Sequence, residues 1–371
     1  MTQSKLSPTQ LGSLVVMVIA IVVGWIAYHN YQPKLLDRYH LSHLSFFLVV
    51  AQGVILVITP PIAGYLGDRF RGNLGHRYRI ISLGVGFAAM IFMTVALGLA
   101  VLPDNLVGIL LPVLVIFWLV AMNIFTSPSI STFELFAPFE EQPVAIAILT
   151  ITAELLYALE PVIVPIIDAL GGALTFLTGG VLVTVAGILL RRATRSVPDT
   201  VDATEGPEKT SWNEVLVAGV RLGVPTALVF TIWPTLLQSK ITPVFANISG
   251  SWAVSGMLAL AAIACLPLSK KAQKWGLQPS QRLAFTIGLI AAVGVLLIDS
   301  PILVMVALCV FALALSMQSV SALPYSLTRI ASHQKVLGVG VFFAGVEIPN
   351  AMMEIWQATG GTKTLTAFLL Q

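Results

Sequence analysis

The stretch Gly64-Tyr-Leu-Gly-Asp68-Arg69-Phe-Arg71-Gly-Asn-Leu-Gly75-His76-Arg77-Tyr-Arg79 is a short, charged segment between two long apolar runs. It holds four arginines, a histidine and one aspartate, whereas the neighbouring runs carry almost no charge. A charged side chain in the hydrocarbon of a membrane costs several kcal/mol, so the segment must lie at a membrane surface. Its excess of arginine predicts the cytoplasmic surface, because short loops rich in Lys and Arg stay on that side.

The composition of the whole chain is that of a membrane protein. Of the 371 residues, 57% are hydrophobic and only 10% are charged, whereas charged residues make up about a quarter of a soluble protein. This length has room for about eleven spans of roughly 20 residues each. The two cysteines, Cys265 and Cys309, lie in or near apolar runs, which argues against a disulfide framework or a cysteine metal site.

The apolar runs predict an all-α polytopic membrane protein. The expected spans are residues 11–31, 45–66, 80–102, 106–136, 144–167, 173–190, 215–237, 252–268, 283–298, 302–330 and 337–356. The fourth span is too long to be straight and contains Pro128, which predicts a kink or break. The tail from residue 357 is short and polar, so we expect a twelfth helix to be missing or vestigial.

Residues 191–213 interrupt this pattern with charged residues and prolines, which is typical of a mobile cytoplasmic linker. The linker divides the chain into an N-terminal half, residues 1–190, and a C-terminal half, residues 214–371. With a cytoplasmic N-terminus, the cytoplasmic segments and span ends hold most of the 20 Lys and Arg, and Arg221, within the seventh span, is assigned to neither side. We therefore expect an integral protein of a bacterial inner membrane with its N-terminus in the cytoplasm.

The two halves carry a parallel internal repeat. Residues 143–154 in the fifth span and 336–347 in the eleventh are similar, and each stretch ends in a glutamate, Glu154 and Glu347. The preceding span has a late proline in both halves, Pro128 and Pro324. Transporter folds are commonly built from such repeats. The repeat predicts two parallel six-helix halves, the second cut short.

The opening stretch resembles the loop between helices two and three of the major facilitator superfamily: Gly-x-x-x-Asp-Arg, a spacer, then Gly-His-Arg-x-Arg. The spacer, with Pro60-Pro61 upstream, is similar to the sucrose/proton symporters and their glycoside-pentoside-hexuronide relatives, although His76 stands where that branch usually has an arginine. The resemblance implies two rocking halves and alternating access. It also implies that the loop latches the cytoplasmic side; the alternative is a basic loop that only sets topology.

The predicted latch places Asp68 just beyond the end of the second helix, where it could pair with Arg77 or Arg79 or interact with the next helix N-terminus. Arg69 belongs to the same motif. Glu134 lies late in the fourth span and is expected to cap that helix or to join the latch, as the acid after helix four does in the sucrose-symporter pattern that residues 128–135 resemble.

Acids inside membrane spans are costly and are therefore functional candidates. Glu154 and Glu347 occupy matching positions in the two halves, and Glu354 shares a helix face with Glu347. In the facilitator arrangement, helices five and eleven both approach the central cavity, so we expect these two glutamates to couple transport to protons. The alternative is that either one only hydrogen-bonds a neighbouring helix or pairs with Arg221.

Amide, hydroxyl and aromatic groups near these acids are suited to a sugar or polyol. The predicted substrate-binding residues are Asn123, Tyr157, Gln318 and Tyr325. The related sodium-coupled sugar symporters carry acids in helix two, whereas residues 45–66 have none, which favours protons as the coupling ion.

The chain has no Walker loop, no metalloprotease motif, no nucleophile elbow and no cysteine-histidine cluster. We therefore expect no enzyme activity, cofactor, metal site or nucleic-acid partner. The predicted function is secondary active transport of a small solute, such as a sugar or glycoside, by proton symport in the lipid bilayer. The alternative is a non-transporting assembly factor or sensor that retained the fold. The sequence leaves the oligomeric state open.

Overall fold

The computed structural model describes residues 7–73, 77–195, 207, 209–229, 237–238, 241, 244–245 and 250–360. Throughout these ranges the regular secondary structure is helical, and nine of the helices are long and apolar enough to cross a membrane. The helices are α1 (Pro8–Arg38), α2 (Ser45–Asn73), α3 (Tyr78–Val101), α4 (Asp104–Ile130), α5 (Phe133–Phe136), α6 (Gln142–Ala158), α7 (Glu160–Thr194), α8 (Trp212–Ala227), α9 (Gly250–Trp275), α10 (Leu277–Leu297), α11 (Pro301–Thr328) and α12 (Lys335–Ala358). The polytopic helical fold expected from the apolar runs is therefore confirmed.

Several helices extend beyond the apolar runs that predicted them. The first continues through Pro33 to Arg38, and the second continues from the expected end at residue 66 to Asn73. An apolar run marks only the hydrocarbon region, whereas the backbone hydrogen bonds of a helix can continue into the membrane surface. Asp68 and Arg69 therefore lie in the last turns of α2, not in a loop beyond it, which corrects the predicted helix end.

The fourth span is broken, as the length of its apolar run and Pro128 predicted. The helix passes Pro128 and ends at Ile130, and α5 begins at Phe133. The hydroxyl of Ser131 donates a 2.7 Å hydrogen bond to the carbonyl oxygen of Pro128 at the break. The break therefore lies three residues beyond the proline and carries Glu134 into the short α5.

The fifth and sixth expected spans are joined without a long loop. The fifth consists of α6 and the first part of α7, with a minor break at Leu159. The sixth is the remainder of α7, which begins after Gly171, where φ is 73° and ψ is 167°. A residue with a Cβ rarely adopts that conformation. Glycine thus permits the chain to reverse between the two spans.

Part of the C-terminal half lies outside the described residues. Residues 191–194 of the expected linker continue α7, and its residues 212 and 213 open α8 behind a Ser211–Glu214 capping box. The described residues leave out most of the linker, part of the seventh span and the end of the tail: residues 196–206 and 208, 230–236 and 361–371.

The described parts of the two halves meet mainly through two helix pairs: α2 packs against α12, and α6 packs against α9. In the predicted repeat, α2 corresponds to α9 and α6 corresponds to α12. The α2–α12 pair and the α6–α9 pair are therefore equivalent under the repeat. Within the halves, α3 packs against α4 and α7, while α10 packs against α11 and α8 against α12. This packing agrees with two parallel halves.

Glycines bring α2 and α12 unusually close together. A Cβ added to Gly64 would lie 2.5 Å from the carbonyl oxygen of Val336 and 2.7 Å from Cα of Leu337. A Cβ added to Gly340 would collide with the carbonyl oxygen of Pro60. Small residues allow such close helix contact inside a membrane, where packing replaces the hydrophobic effect as the attraction between helices.

Candidate functional site: a central cavity and the two ends of the α2–α12 interface

A cavity of about 330 Å³ lies between the two halves. Helices α1, α2, α4 and α6 line it from the N-terminal half, and α8, α11 and α12 line it from the C-terminal half. Most of its wall is apolar. The polar residues on the wall are Asn123, Thr126, Ser127, Thr150, Glu154, Tyr157, Thr226, Ser319 and Glu347.

The cavity contains both glutamates that the repeat singled out. Glu154 is buried on α6, and Glu347 is half-buried on α12, where its Oε2 accepts a 3.4 Å hydrogen bond from Asn350. Neither carboxyl forms an ion pair with a side chain in the described part of the protein. The alternative partner Arg221 lines a different pocket. The Asn350 contact lies within α12, so it is not the hydrogen bond to a neighbouring helix that the alternative interpretation expected.

Two of the four predicted substrate residues, Asn123 and Tyr157, line this cavity. Gln318 is fully buried behind the wall, where its Nε2 donates a 3.3 Å hydrogen bond to Oγ1 of Thr226, itself a wall residue. Tyr325 lies on a separate pocket. The structure thus places Gln318 and Tyr325 outside the cavity, because the rotation of α11 about its axis is set by its neighbours.

An aromatic cluster adjoins the cavity on α1 and α4. Trp25, a wall residue, packs edge-on against Trp118 with ring centroids 5.2 Å apart. Tyr28 stacks on the Trp118 ring at 4.6 Å and packs edge-on against Trp25 at 5.7 Å. These contacts hold the Trp25 ring in place at the cavity wall.

At one end of the bundle, Asp68 of α2 binds the N-terminus of α12. Its Oδ2 accepts a 2.8 Å hydrogen bond from the backbone N–H of Leu337, and Oδ1 accepts a 3.3 Å bond from that of Val336. A carboxylate at this position meets unpaired N–H groups and the positive end of the helix dipole. We call this the Asp68 end; the contact joins the two halves.

A buried ion pair lies beside that contact. Nζ of Lys335, the first residue of α12, is 3.6 Å from Oε1 of Glu134, and both side chains are almost inaccessible to solvent. Sequence reasoning proposed Glu134 for a latch but counted Lys335 only as one more basic residue. The sequence feature that could have identified Lys335 is its position immediately ahead of an apolar run.

Arg77 supports the same region from α3. Its side chain is fully buried, and its NH1 group donates hydrogen bonds to the carbonyl oxygen of Ser131 at 3.1 Å and to its hydroxyl at 2.8 Å. It therefore holds the break between α4 and α5, three residues before Glu134. The other predicted latch arginines, Arg69 and Arg79, are exposed on the surface.

The opposite end of the α2–α12 interface is joined by neutral hydrogen-bond donors. The hydroxyl of Tyr28 donates to Oε1 of Gln52 at 2.8 Å, and Nε2 of Gln52 donates to Oε2 of Glu354 at 2.8 Å. We call this the Glu354 end. Sequence reasoning noticed Glu354 as an intramembrane acid but missed Gln52, since a single glutamine in an apolar run carries no pattern.

The family model of the major facilitator superfamily matches residues 11–352, which is most of the chain. The protein belongs to the major facilitator superfamily. No curated protein sequence matches the chain significantly. As a superfamily member, the chain is an integral membrane protein of a family that consists mainly of transporters of small solutes, not of enzymes. The predicted superfamily is thereby confirmed.

Proposed function

We propose that this superfamily member is a proton-coupled symporter of a small polar solute, such as a sugar or glycoside, and works by alternating access. One observation carries the proposal: Glu154 and Glu347, from opposite halves, line the same cavity. A carboxyl group placed between the halves interacts with both of them. Its protonation can therefore bias how the halves sit relative to each other.

The coupling chemistry follows from the surroundings of the two carboxyl groups. A charged carboxylate shielded from water is costly unless it is paired, and neither glutamate has an ion-pair partner among the described side chains. Uptake of a proton removes that cost. We infer that the carboxyl groups load protons when the cavity faces the proton-rich side and release them when it faces the other.

The substrate class rests on the remaining lining of the cavity. Hydroxyl and amide groups can exchange hydrogen bonds with a polyol, and the flat ring of Trp25 can cover an apolar face of a sugar. A volume of about 330 Å³ lies at the lower end of small-molecule sites, which suits a mono- or disaccharide. The resemblance of residues 64–79 to the sucrose-symporter branch points to the same class.

The two ends of the α2–α12 interface act as gates in this proposal. Opening toward the Asp68 end requires the Asp68 contact and the Glu134–Lys335 pair to separate. Opening toward the Glu354 end requires the Gln52–Glu354 hydrogen bond to separate. Alternating access follows if one set of contacts remains closed while the other is broken.

The experiment is uptake of radiolabelled sucrose and maltose by vesicles that contain the purified protein, with and without an imposed inward proton gradient. We expect gradient-driven accumulation in the parent protein. Glu154→Gln and Glu347→Gln should each reduce accumulation to the level reached without a gradient. The matched control is Glu160→Gln, which alters an exposed glutamate on the same span that does not line the cavity.

Normal accumulation in both glutamine variants would refute the coupling role of the cavity acids. If tight vesicles take up neither sugar, the sugar assignment fails. If thermal-stability screening also finds no other solute that binds, the non-transporting alternative replaces the proposal.

A further inference from the structure

A second pocket, of about 1010 Å³, lies between the N-terminal parts of α8 and α10 and the C-terminal end of α11. We call it the basic pocket because four cationic residues line it: Lys209, Arg221, Arg282 and Arg329. Of its described lining residues, Glu214 alone carries a carboxyl group. That carboxyl already accepts a 2.7 Å hydrogen bond from the backbone N–H of Ser211. Among the described lining residues, positive charge is therefore in excess.

The basic pocket belongs to the Asp68 end of the bundle. Oγ1 of Thr210, a lining residue, accepts a 2.8 Å hydrogen bond from the backbone N–H of Ala331, four residues before Lys335. Trp212, at the start of α8, packs 5.6 Å from the ring of Tyr65 on α2. The pocket thus lies near the end of the spans, at the depth where polar lipid headgroups meet the protein.

The corresponding place in the N-terminal half is filled by protein. There the end of α7 packs against the starts of α1 and α3: Nε2 of Gln10 donates to the carbonyl oxygen of Ala193 at 3.4 Å, and Arg191 lies 5.8 Å from the ring of Tyr78. By the internal repeat, α8 and α10 correspond to α1 and α3. In the described part of the C-terminal half, the equivalent space is the basic pocket.

An apolar, outward-facing surface continues from the basic pocket along the spans. Val217 of α8 lines the pocket and is exposed, as are Ile290 and Leu297 farther along α10, at 67% and 77% of their area. Such side chains contact lipid chains in a membrane-spanning protein. The combination of a cationic recess at the membrane surface with an apolar face below it matches a phospholipid: an anionic headgroup above two acyl chains.

We propose that the basic pocket binds the headgroup of an anionic phospholipid, with Arg221 and Arg282 as principal contacts of the phosphate. Guanidinium groups suit this role because they donate two parallel hydrogen bonds to phosphate oxygens. The acyl chains lie along the exposed face of α10. This site is separate from the central cavity and does not depend on what the cavity carries.

The test is native mass spectrometry of the full chain in detergent, titrated with phosphatidylglycerol or with phosphatidylcholine that has the same acyl chains. We expect phosphatidylglycerol to bind more tightly. Arg221→Gln and Arg282→Gln should each weaken its binding by about fivefold, the effect of one basic residue near an anionic lipid. Arg192→Gln, an exposed arginine at the end of α7, is the matched control and should bind as the parent does.

Equal affinity for the two lipids, or an equal loss in Arg192→Gln, would overturn the proposal. Displacement of phosphatidylglycerol by inorganic phosphate at similar concentration would show a site for soluble phosphate and would also overturn it. Arg282→Lys keeps the charge but loses the two parallel hydrogen bonds, so its affinity should lie between those of the parent and Arg282→Gln. If one of the two principal variants has an altered thermal midpoint, the other is decisive, and it must show the fivefold loss with an unchanged midpoint.

Discussion

The two ends of the α2–α12 interface join the same pair of helices by different chemistry. At the Asp68 end, a carboxylate binds a helix N-terminus, and a fully buried ion pair lies beside it. At the Glu354 end, a glutamine relays a hydrogen bond from Tyr28 to Glu354. One end depends on charge, and the other depends on a hydrogen-bond chain. The two ends can therefore be weakened separately, which the proposed alternating access requires.

The largest effect should come from removing the cation of the buried pair. Lys335→Ala leaves the buried carboxylate of Glu134 without its ion-pair partner, and breaking a buried pair in this way costs about 3–5 kcal/mol of stability. We expect a marked fall in the thermal unfolding midpoint of the purified protein. Lys274→Ala, which removes an exposed lysine near the end of α9, is the control and should leave the midpoint unchanged.

A double variant sharpens this test. Replacing both partners, as Glu134→Gln with Lys335→Met, removes the uncompensated charge and should recover much of the lost midpoint. If Lys335→Ala is as stable as the Lys274 control, the buried pair does not hold the Asp68 end.

An intermediate effect is expected at the opposite end. Gln52→Leu removes both hydrogen bonds of the relay, and a typical hydrogen bond contributes about 0.5–1.5 kcal/mol. The measurement is labelling of a cysteine introduced at cavity position 319 in a Cys265→Ala/Cys309→Ala background, with an impermeant thiol reagent applied from either face. Labelling should rise only from the face of the Glu354 end.

The control for that experiment is Asn105→Leu, which alters an exposed polar residue at the start of α4. A rise from both faces, or the same rise in the control, would show that Gln52 stabilises the fold in general and is not a gate at one end.

The smallest effect should come from Asp68→Asn. Asparagine retains a hydrogen-bond acceptor for the N-terminus of α12 but loses the attraction of a charge for the helix dipole, worth about 0.3–1 kcal/mol. Labelling at position 319 from the face of the Asp68 end should therefore rise by up to about fivefold. The control is Glu140→Gln, which alters an exposed acid at the same end. If the two variants are labelled equally, the charge of Asp68 does not hold this end closed.

Much of the architecture could be predicted because hydrophobicity is a local property. The apolar runs located the spans, and Pro128 predicted a break in the fourth span. The similar sequences that end in Glu154 and Glu347 indicated the repeat. The resemblance led us to expect both acids near a central cavity, and both line one cavity in the structure. A lone acid in an apolar run is informative because burying it is costly, so few positions tolerate one without a reason.

The tertiary structure decided what the local pattern could not. Asp68 and Leu337 are 269 residues apart in the chain, yet they share a hydrogen bond. Lys335 reaches Glu134 because the break after Ile130 turns α5 inward. Gln318 and Arg221 lie outside the cavity because their helices are rotated by packing against neighbours.

The sequence by itself therefore determined the number and order of the apolar runs, the repeat and the acids that deserve a functional test. Only the tertiary structure decided which polar side chains meet. The physical reason is that a helix inside a membrane can present any of its faces to lipid or protein at similar hydrophobic cost. Its rotation is set by close packing, such as that of Gly64 and Gly340, and packing depends on residues that are distant in the chain.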